Sequence, residues 1–154
     1  MNTILSIDPG NVLSAYCLID VKTYKPIEFG KIDNFELLDK MKTLKYDFLA
    51  IEMVACYGMA VGKTVFETCV WIGRYIQSKS CKEYEYVYRK DEKINICNSM
   101  KAKDGNIRQS LIDRFGIVGT KANNGFFYGF KADIWSAFAV GITYLDKIYM
   151  KREK

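Results

Sequence analysis

Three acidic residues stand at positions where their carboxylates could act together. Asp8 closes the apolar segment 3–8, Glu52 closes the apolar segment 46–52, and Asp133 opens the amphipathic segment 132–150. Side chains alternate along a strand, so Asp8 and Glu52 would leave a sheet at the same edge if their strands are parallel neighbours. A carboxylate in the first turn of a helix is stabilised by the helix dipole and can point at that edge. Because three converging carboxylates repel one another unless cations lie between them, the trio predicts a divalent metal site.

The chemistry that such a site favours is two-metal hydrolysis of a phosphodiester bond. Two Mg²⁺ ions about 4 Å apart can activate a water and stabilise the leaving oxygen, and Mn²⁺ accepts the same oxygen ligands. The chain contains no histidine, which excludes Ser-His-Asp and Cys-His hydrolases and His-liganded zinc enzymes. Taken singly, Asp8 can be a turn former and Asp133 a helix-start charge, whereas Glu52 is a less usual strand end. The three in this order favour a functional site.

The composition suits a single domain over residues 1–154. The net charge of the chain favours a negatively charged partner. The chain is 49% hydrophobic and has 23 Lys and Arg against 18 Asp and Glu, a formal charge of +5. This excess favours polyanions such as nucleic acid. No apolar run approaches the roughly 18 to 20 residues of a membrane-spanning helix, and MNTILSIDPG does not resemble a secretory signal. The five cysteines are scattered, without a CxxC pair, so we expect free thiols and a cytoplasmic location.

Periodicity and turn signals predict the elements that must position the acids. Strands are predicted over 3–8, 12–21, 26–32, 46–52 and 83–89, and helices over 33–44, 63–78, 92–98, 104–115 (with Asp104 as N-cap) and 132–150. Three consecutive strands followed by strand–helix alternation predict an α/β domain with a mixed sheet and helices on its faces. In the loop 116–130, we expect Phe126, Phe127, Tyr128 and Phe130 to anchor the loop rather than to stack on bases.

Three segments resemble the RuvC-type Holliday junction resolvases of the RNase H-like superfamily. ILSIDPGNVLSA (4–15) resembles the opening strand, turn and strand of that family, and LAIEMV (49–54) is similar to its second acidic motif. KADIWSAFAVGITYL (131–145) resembles its closing helix. The similarity extends over nearly the whole chain and implies an RNase H-like mixed five-stranded sheet flanked by helices. The small size suits a phage-borne variant.

The resemblance also implies a site and an activity. A homodimer would nick branched DNA symmetrically in two strands of like polarity, with Asp8 bridging two metal ions, Glu52 binding one and Asp133 completing the other. The family has a second acid one helical turn after Asp133, and here that position is Ser136. A serine hydroxyl would ligate weakly or through a water.

Basic residues and one aromatic residue are the predicted DNA contacts. Lys101 and Lys103 lie in the loop before Asp104, and Arg108 follows within the helix, a placement that suits phosphate contacts. The alternative for this segment is a solvated charged helix face, because acids are interspersed there: Asp91, Glu92 and Asp104. Lys131, at the start of the last helix, would neutralise the acids or contact a phosphate. By resemblance, Tyr57 would stack at the branch point; the alternative is that it folds back on the core.

Together these features predict a magnesium-dependent endonuclease, with Mn²⁺ as a possible substitute, that resolves Holliday junctions or related branched DNA in recombination and repair. Two alternatives are another RNase H-like nuclease that cuts forks or RNA–DNA hybrids, and a non-catalytic structure-specific DNA-binding protein. No nucleotide cofactor is expected, because MAVGKT (59–64) lacks the earlier glycine of a phosphate-binding loop.

Overall fold

A computed structural model describes all 154 residues. Five strands and six α-helices follow one another along the chain: β1 Thr3–Asp8, β2 Leu13–Asp20, β3 Pro26–Asp33, α1 Asn34–Thr43, β4 Phe48–Glu52, α2 Lys63–Ser78, β5 Glu83–Val87, α3 Arg89–Cys97, α4 Asp104–Phe115, α5 Ile134–Tyr144 and α6 Met150–Arg152. A π-helical segment, Leu145–Tyr149, joins α5 to α6. None of the helices is both long and apolar enough to span a membrane.

The five strands form one mixed sheet in the order β3-β2-β1-β4-β5. The first three strands pair antiparallel, while β1, β4 and β5 run parallel to one another. Ile7 on β1 is level with Ile51 on β4. Asp8 and Glu52, the next residues of the two strands, therefore reach the same edge of the sheet, and the predicted mixed five-stranded sheet with flanking helices is confirmed.

Helices cover both faces of the sheet, and each face has its own apolar core. On one face α1 and α2 pack on Leu5, Ile7 and Leu49. On the other face α5 lies very close to the strands, because a Cβ at Gly141 would stand 2.9 Å from Ser6 Oγ. The Tyr144 ring, at the end of α5, is 6.1 Å from the Phe48 ring, at the start of β4. The helix thus runs opposite to β4, and its N-terminus lies at the edge where β1 and β4 end.

Besides small shifts at the ends of other elements, three differences from the sequence-based expectation bear on the site. Strand β5 ends at Val87, the partner of Glu52, because β4 offers no residue beyond it to pair with; Arg89, predicted as strand, begins α3. Asp104 is the first residue of α4 and not its N-cap, since the cap is Lys103, whose backbone N–H donates to Asn106 Oδ1 at 2.9 Å. The predicted single helix over 132–150 begins at Ile134 and is interrupted by the π-helical segment.

The loop 116–130 and the cysteines largely follow expectation. Phe127 and Phe130 are buried in the core on the α5 face, and the Phe126 ring stacks on Phe115 with centroids 5.2 Å apart. These three aromatic side chains anchor the loop, whereas the prediction is wrong for Tyr128, which is exposed. All five cysteines are free.

Candidate functional site

The turn after Asp8 is fixed by a small network of polar side chains. Ser14 Oγ accepts the backbone N–H of Gly10 at 3.1 Å, and Asn34 Nδ2 donates to the carbonyl of Gly10 at 2.8 Å. The buried hydroxyl of Tyr75, on α2, reaches both Ser14 Oγ and Asn34 Oδ1 at 2.9 Å. Because satisfied buried polar groups hold their geometry firmly, this network fixes where the chain leaves β1 and hence where Asp8 stands.

Asp8 and Glu52 line one cleft at the edge of the sheet. The cleft has a volume of about 230 Å³, and its other walls come from the segment after Glu52, the turn after Asp8 and the first residue of α3: Pro9, Met53, Val54, Ala55, Tyr57 and Arg89. Both acidic residues are partly buried. The expectation that parallel pairing brings these two side chains to one edge agrees with this geometry.

Asp133 reaches the same edge from the start of α5, but its carboxylate is held by a lysine. It makes no helix-capping hydrogen bond; instead Oδ2 accepts from Lys31 Nζ, on β3, at 2.6 Å. Ala132, directly before it, has φ 47, a left-handed conformation that costs a residue with a Cβ about 1 kcal/mol or more. The backbone at this turn is therefore strained where it delivers Asp133.

The three carboxylates form one electrostatic cluster. Burial raises the pKa of Asp8 to about 8, and the negative charges of Glu52 and Asp133 act in the same direction. The positive charges of Arg89 and Lys31 oppose this shift. Partly buried carboxylates that repel one another suit a hard divalent cation, whose preferred ligands are carboxylate oxygens. The donor set therefore fits such an ion.

Although the acidic side chains are of a suitable chemical type, their arrangement is not a complete set of metal ligands. No group of three or more His, Cys, Asp or Glu side chains stands close enough to hold one metal ion. Asp133 is engaged by Lys31, while Glu52 interacts with the carboxyl group of Glu92. The structure thus brings Asp8, Glu52 and Asp133 to one edge without gathering all three around a single point.

Glu92 and Arg89 are site residues that the sequence analysis did not assign. Glu92, on α3, is fully buried, and its Oε1 accepts from Arg89 Nη1 at 3.1 Å. Arg89 also pairs with Asp104. Burial raises the pKa of Glu92 well above its usual range, and the charge of Glu52 adds to that rise. The interpretation of this segment as a solvated charged face is therefore wrong for Glu92. The one signal in the sequence is the Arg–Glu pair at i, i+3 directly after β5.

Ser136 belongs to a second cleft beside Asp133. Asp133 and Ser136 share it with basic and acidic residues of α3 and α4: Arg89, Asp104 and Arg108. Ser136 is partly buried and lies one turn after Asp133. Since Arg89 lines both clefts, the two form adjoining parts of one surface at this edge.

The predicted DNA contacts divide into two groups by position. Tyr57 is 64% exposed and lines the cleft of Asp8 and Glu52, so the alternative that it folds back on the core is wrong. Arg108 lines the cleft of Asp133, and its guanidinium lies 5.3 Å from the centroid of the Trp135 ring. The other three lie outside these clefts, exposed and without ion pairs: Lys101, Lys103 and Lys131. The lysine that neutralises Asp133 is Lys31.

Comparison with known proteins finds similarity at the level of structure. No protein-family model matches the chain, and no curated protein matches its sequence. RuvC of Thermus thermophilus superposes with a TM-score of 0.69 at 12% identity, covering 97% of this chain and 96% of that chain. RuvC of T. thermophilus in complex with a Holliday junction substrate gives a TM-score of 0.70 at 11% identity over the same shares. With a mixed sheet that pairs in this order and helices on both faces, the chain has the RuvC fold, a variant of the RNase H-like architecture.

Proposed function

We propose that this protein is a metal-dependent endonuclease that resolves Holliday junctions or related branched DNA by paired phosphodiester hydrolysis. The observation that carries the proposal is the cluster at the sheet edge, where Asp8 and Glu52 line one cleft, Asp133 lies in the adjoining cleft, and the charges of Glu52 and Asp133 both act on Asp8. Such a cluster is electrostatically unfavourable without a cation. The RuvC fold supports the same activity, because RuvC of T. thermophilus forms a complex with a Holliday junction substrate.

The cofactor in this proposal is Mg²⁺, with Mn²⁺ as a substitute, and two ions per site. Asp8, Glu52 and Asp133 would hold the ions, and Ser136 would contribute weakly or through a water. When bound, the ions supply an activated water and stabilise the leaving oxygen of the phosphodiester. The chain contributes the placement of the carboxylates: the parallel pairing of β1 and β4 sets Asp8 beside Glu52, and the turn before α5 brings Asp133 to the same edge.

Branched DNA is the proposed substrate, and basic side chains around the clefts would bind its phosphates. Arg108 borders the acids directly, and Lys101, Lys103 and Lys131 extend the positive surface with ammonium groups that no acid neutralises. Unpaired cations of this kind favour phosphate contacts, which position a nucleic acid without reading its sequence. We place this activity in recombination and repair, in the cytoplasm of a bacterial or phage-infected cell.

A homodimer is part of the proposal, because symmetric nicks in two strands require two active sites. The chain presents a stripe of exposed apolar side chains beside the site, formed by Phe66 and Val70 on α2 and Phe35 on α1, which are 60%, 56% and 63% exposed. Asn11 Nδ2, in the turn after β1, donates to Glu67 Oε2 at 3.3 Å, so the stripe lies close to Asp8. A second copy packed on this stripe would bring the two sites together.

A non-catalytic junction-binding protein is the second candidate function. It is favoured by the ion pair between Lys31 and Asp133, which occupies one acid, and by Ser136, which replaces another. Such a protein would keep the basic surface and the exposed Tyr57 but would not cut.

The first prediction separates these functions by substrate. Labelled four-way junction, fork, RNA–DNA hybrid and linear duplex would be incubated with the protein, with and without Mg²⁺ or Mn²⁺, and the nicks mapped. We expect metal-dependent nicks at symmetric positions in two strands of the junction and little cutting of duplex. Preferred cutting of the fork or the hybrid would instead indicate another RNase H-like nuclease. Tight junction binding without nicks in either metal would contradict the proposed activity and favour the binding protein.

The second prediction concerns Tyr57. We expect Tyr57→Ala to weaken binding to the junction by about 5- to 100-fold, since stacking of a base on an aromatic ring is worth about 1–3 kcal/mol, and to change duplex binding little. Tyr57→Phe should restore junction binding. Met59, 69% exposed in the same loop, offers a matched control, and Met59→Ala should leave both affinities unchanged. Equal losses for junction and duplex would contradict a role at the branch point. The measurement is a fluorescence-anisotropy titration without divalent metal.

A further inference from the structure

The structure contains a buried carboxylate that the proposed set of three acids does not use. Glu92 is 0% exposed. One of its oxygens accepts a hydrogen bond from Arg89, while the other, Oε2, is buried with no hydrogen-bond partner. Burying a charged group without full pairing is costly, so an acid retained in this state calls for an explanation.

The surroundings of Glu92 connect it to the cluster at the sheet edge. Burial raises the pKa of Glu92, and the charge of Glu52 adds to that rise, so the two carboxyl groups belong to one electrostatic cluster. This placement follows from the topology, because Val87, which ends β5, pairs with Glu52, and α3 begins two residues later. Two ionised carboxylates in one buried setting repel unless a proton or a metal cation compensates their charge.

Arg89 alone does not neutralise Glu92. Its guanidinium is shared, with Nη1 on Glu92 and Nη2 on Asp104, and it also acts on the charges of Asp8 and Glu52. The cluster holds four carboxyl groups, Asp8, Glu52, Glu92 and Asp133, against two cations, Arg89 and Lys31. When all four are ionised it is short of positive charge, which protons or a bound cation can supply.

We propose that Glu92 is the fourth carboxylate of the metal site, supplied by α3, and that its free Oε2 helps to hold the cation on the Glu52 side. The inference rests on the proposed metal-dependent function and adds to it. The fourth acid of the family follows Asp133 on the last helix, where this chain has Ser136. With Glu92 the site again has four carboxylates, and the fourth one comes from α3 instead of the last helix.

A purely structural role predicts a different outcome. If Glu92 serves only to fix Arg89, its replacement by glutamine, whose neutral amide oxygen accepts from Arg89 more weakly than a carboxylate does, would lower stability and leave metal binding intact. If Glu92 holds a cation, the same change would weaken metal binding. It would also leave the metal-free protein as stable as before or more stable, because a repulsion between buried carboxylates is removed.

The experiment is a Mn²⁺ titration of the DNA-free protein, with free Mn²⁺ followed by electron paramagnetic resonance and metal-free stability measured by urea denaturation. We expect Glu92→Gln to weaken Mn²⁺ affinity by about 10- to 100-fold without loss of metal-free stability. Asp91→Asn, which removes a neighbouring acid on α3 that forms no ion pair, is the control and should change neither. Glu92→Asp, which keeps the charge on a shorter side chain, should bind Mn²⁺ with intermediate affinity.

The outcomes that overturn the proposal are distinct. Unchanged Mn²⁺ affinity in Glu92→Gln, or in Glu92→Asp should the glutamine variant fail to fold, would overturn the role of Glu92 while leaving the three-acid site standing. A wild-type protein that binds no Mn²⁺ would contradict the proposed metal site itself, and the role of Glu92 with it.

Discussion

Asp8→Asn, Glu52→Gln and Asp133→Asn are each expected to reduce junction cleavage by about 10³-fold or more, a barrier increase of about 4 kcal/mol. Each change removes one negative charge from the cluster at the sheet edge and leaves a side chain of nearly the same shape. A neutral amide is a poorer ligand for a hard cation than a carboxylate. Since Ser136 offers no charge beside it, Asp133 has no substitute on its side of the site.

Junction binding should survive these three substitutions. The proposed phosphate contacts come from Arg108 and the exposed lysines, and loss of an acid lessens repulsion of the DNA backbone. Binding would be measured by gel shift without divalent metal, and cleavage by single-turnover kinetics with Mg²⁺. Asp39→Asn is the control, because Asp39 lies on α1 with a side chain that is 78% exposed. A purified variant that still cuts at the wild-type rate would refute the role given to that residue.

The metal-free protein is expected to lose a few kcal/mol of stability between pH 5 and pH 8. Burial, followed by the charges of Glu52 and Asp133, raises the pKa of Asp8 to about 8 from its ordinary value of 3.8. Between these values the folded protein keeps a proton that the unfolded chain releases, so the free energy of unfolding falls as pH rises. The pKa values of Glu52 and Glu92 are also raised by burial, which acts in the same direction.

The acids with lowered pKa values do not disturb this window. Asp20 is stabilised as a carboxylate by backbone N–H groups and Glu28 by Lys40, so their contributions to stability are lost only at pH values below the window.

Urea denaturation in EDTA at pH 5, 6, 7 and 8 provides the measurement. Asp8→Asn should make the profile less steep, because one of the titrating residues is gone while Glu52 and Glu92 remain. Added Mg²⁺ should restore stability at pH 8 and do little at pH 5, since it competes with protons for the same oxygens. A wild-type profile that is level, or that coincides with the profile of Asp8→Asn, would show that the pKa of Asp8 is not raised in the folded protein.

The sequence was sufficient to predict the position of Asp8 and Glu52 because the relevant rules are local. Alternation along each strand fixes the face of each side chain, and a parallel crossover between β1 and β4 fixes the shared edge. The engagement of Asp133 by Lys31 could not be predicted in this way. The two residues are 102 positions apart, and their contact depends on how closely α5 packs over β3, which no pattern in either segment reveals.

The burial of Glu92 is even harder to predict from the sequence than the contact between Asp133 and Lys31. The neighbouring residues Lys90 and Asp91 are also charged. Apart from the arginine three residues before Glu92, nothing in RKDEKI (89–94) distinguishes the one side chain that becomes fully buried. Burial follows from the end of β5 at Val87, which places the start of α3 beside Glu52. That boundary was itself misplaced by two residues in the sequence analysis, because alternating residues continue to Arg89 although β4 has already ended.

The most direct test of the account is to locate the cation. Crystals of the protein grown with Mn²⁺ would be measured at a wavelength where manganese scatters anomalously. We expect anomalous density among the carboxylates of Asp8, Glu52 and Asp133, with the contact between Asp133 and Lys31 weakened or broken. The contradicting result is a map with no manganese at this edge of the sheet, in which Lys31 still holds Asp133 and Glu52 still faces Glu92.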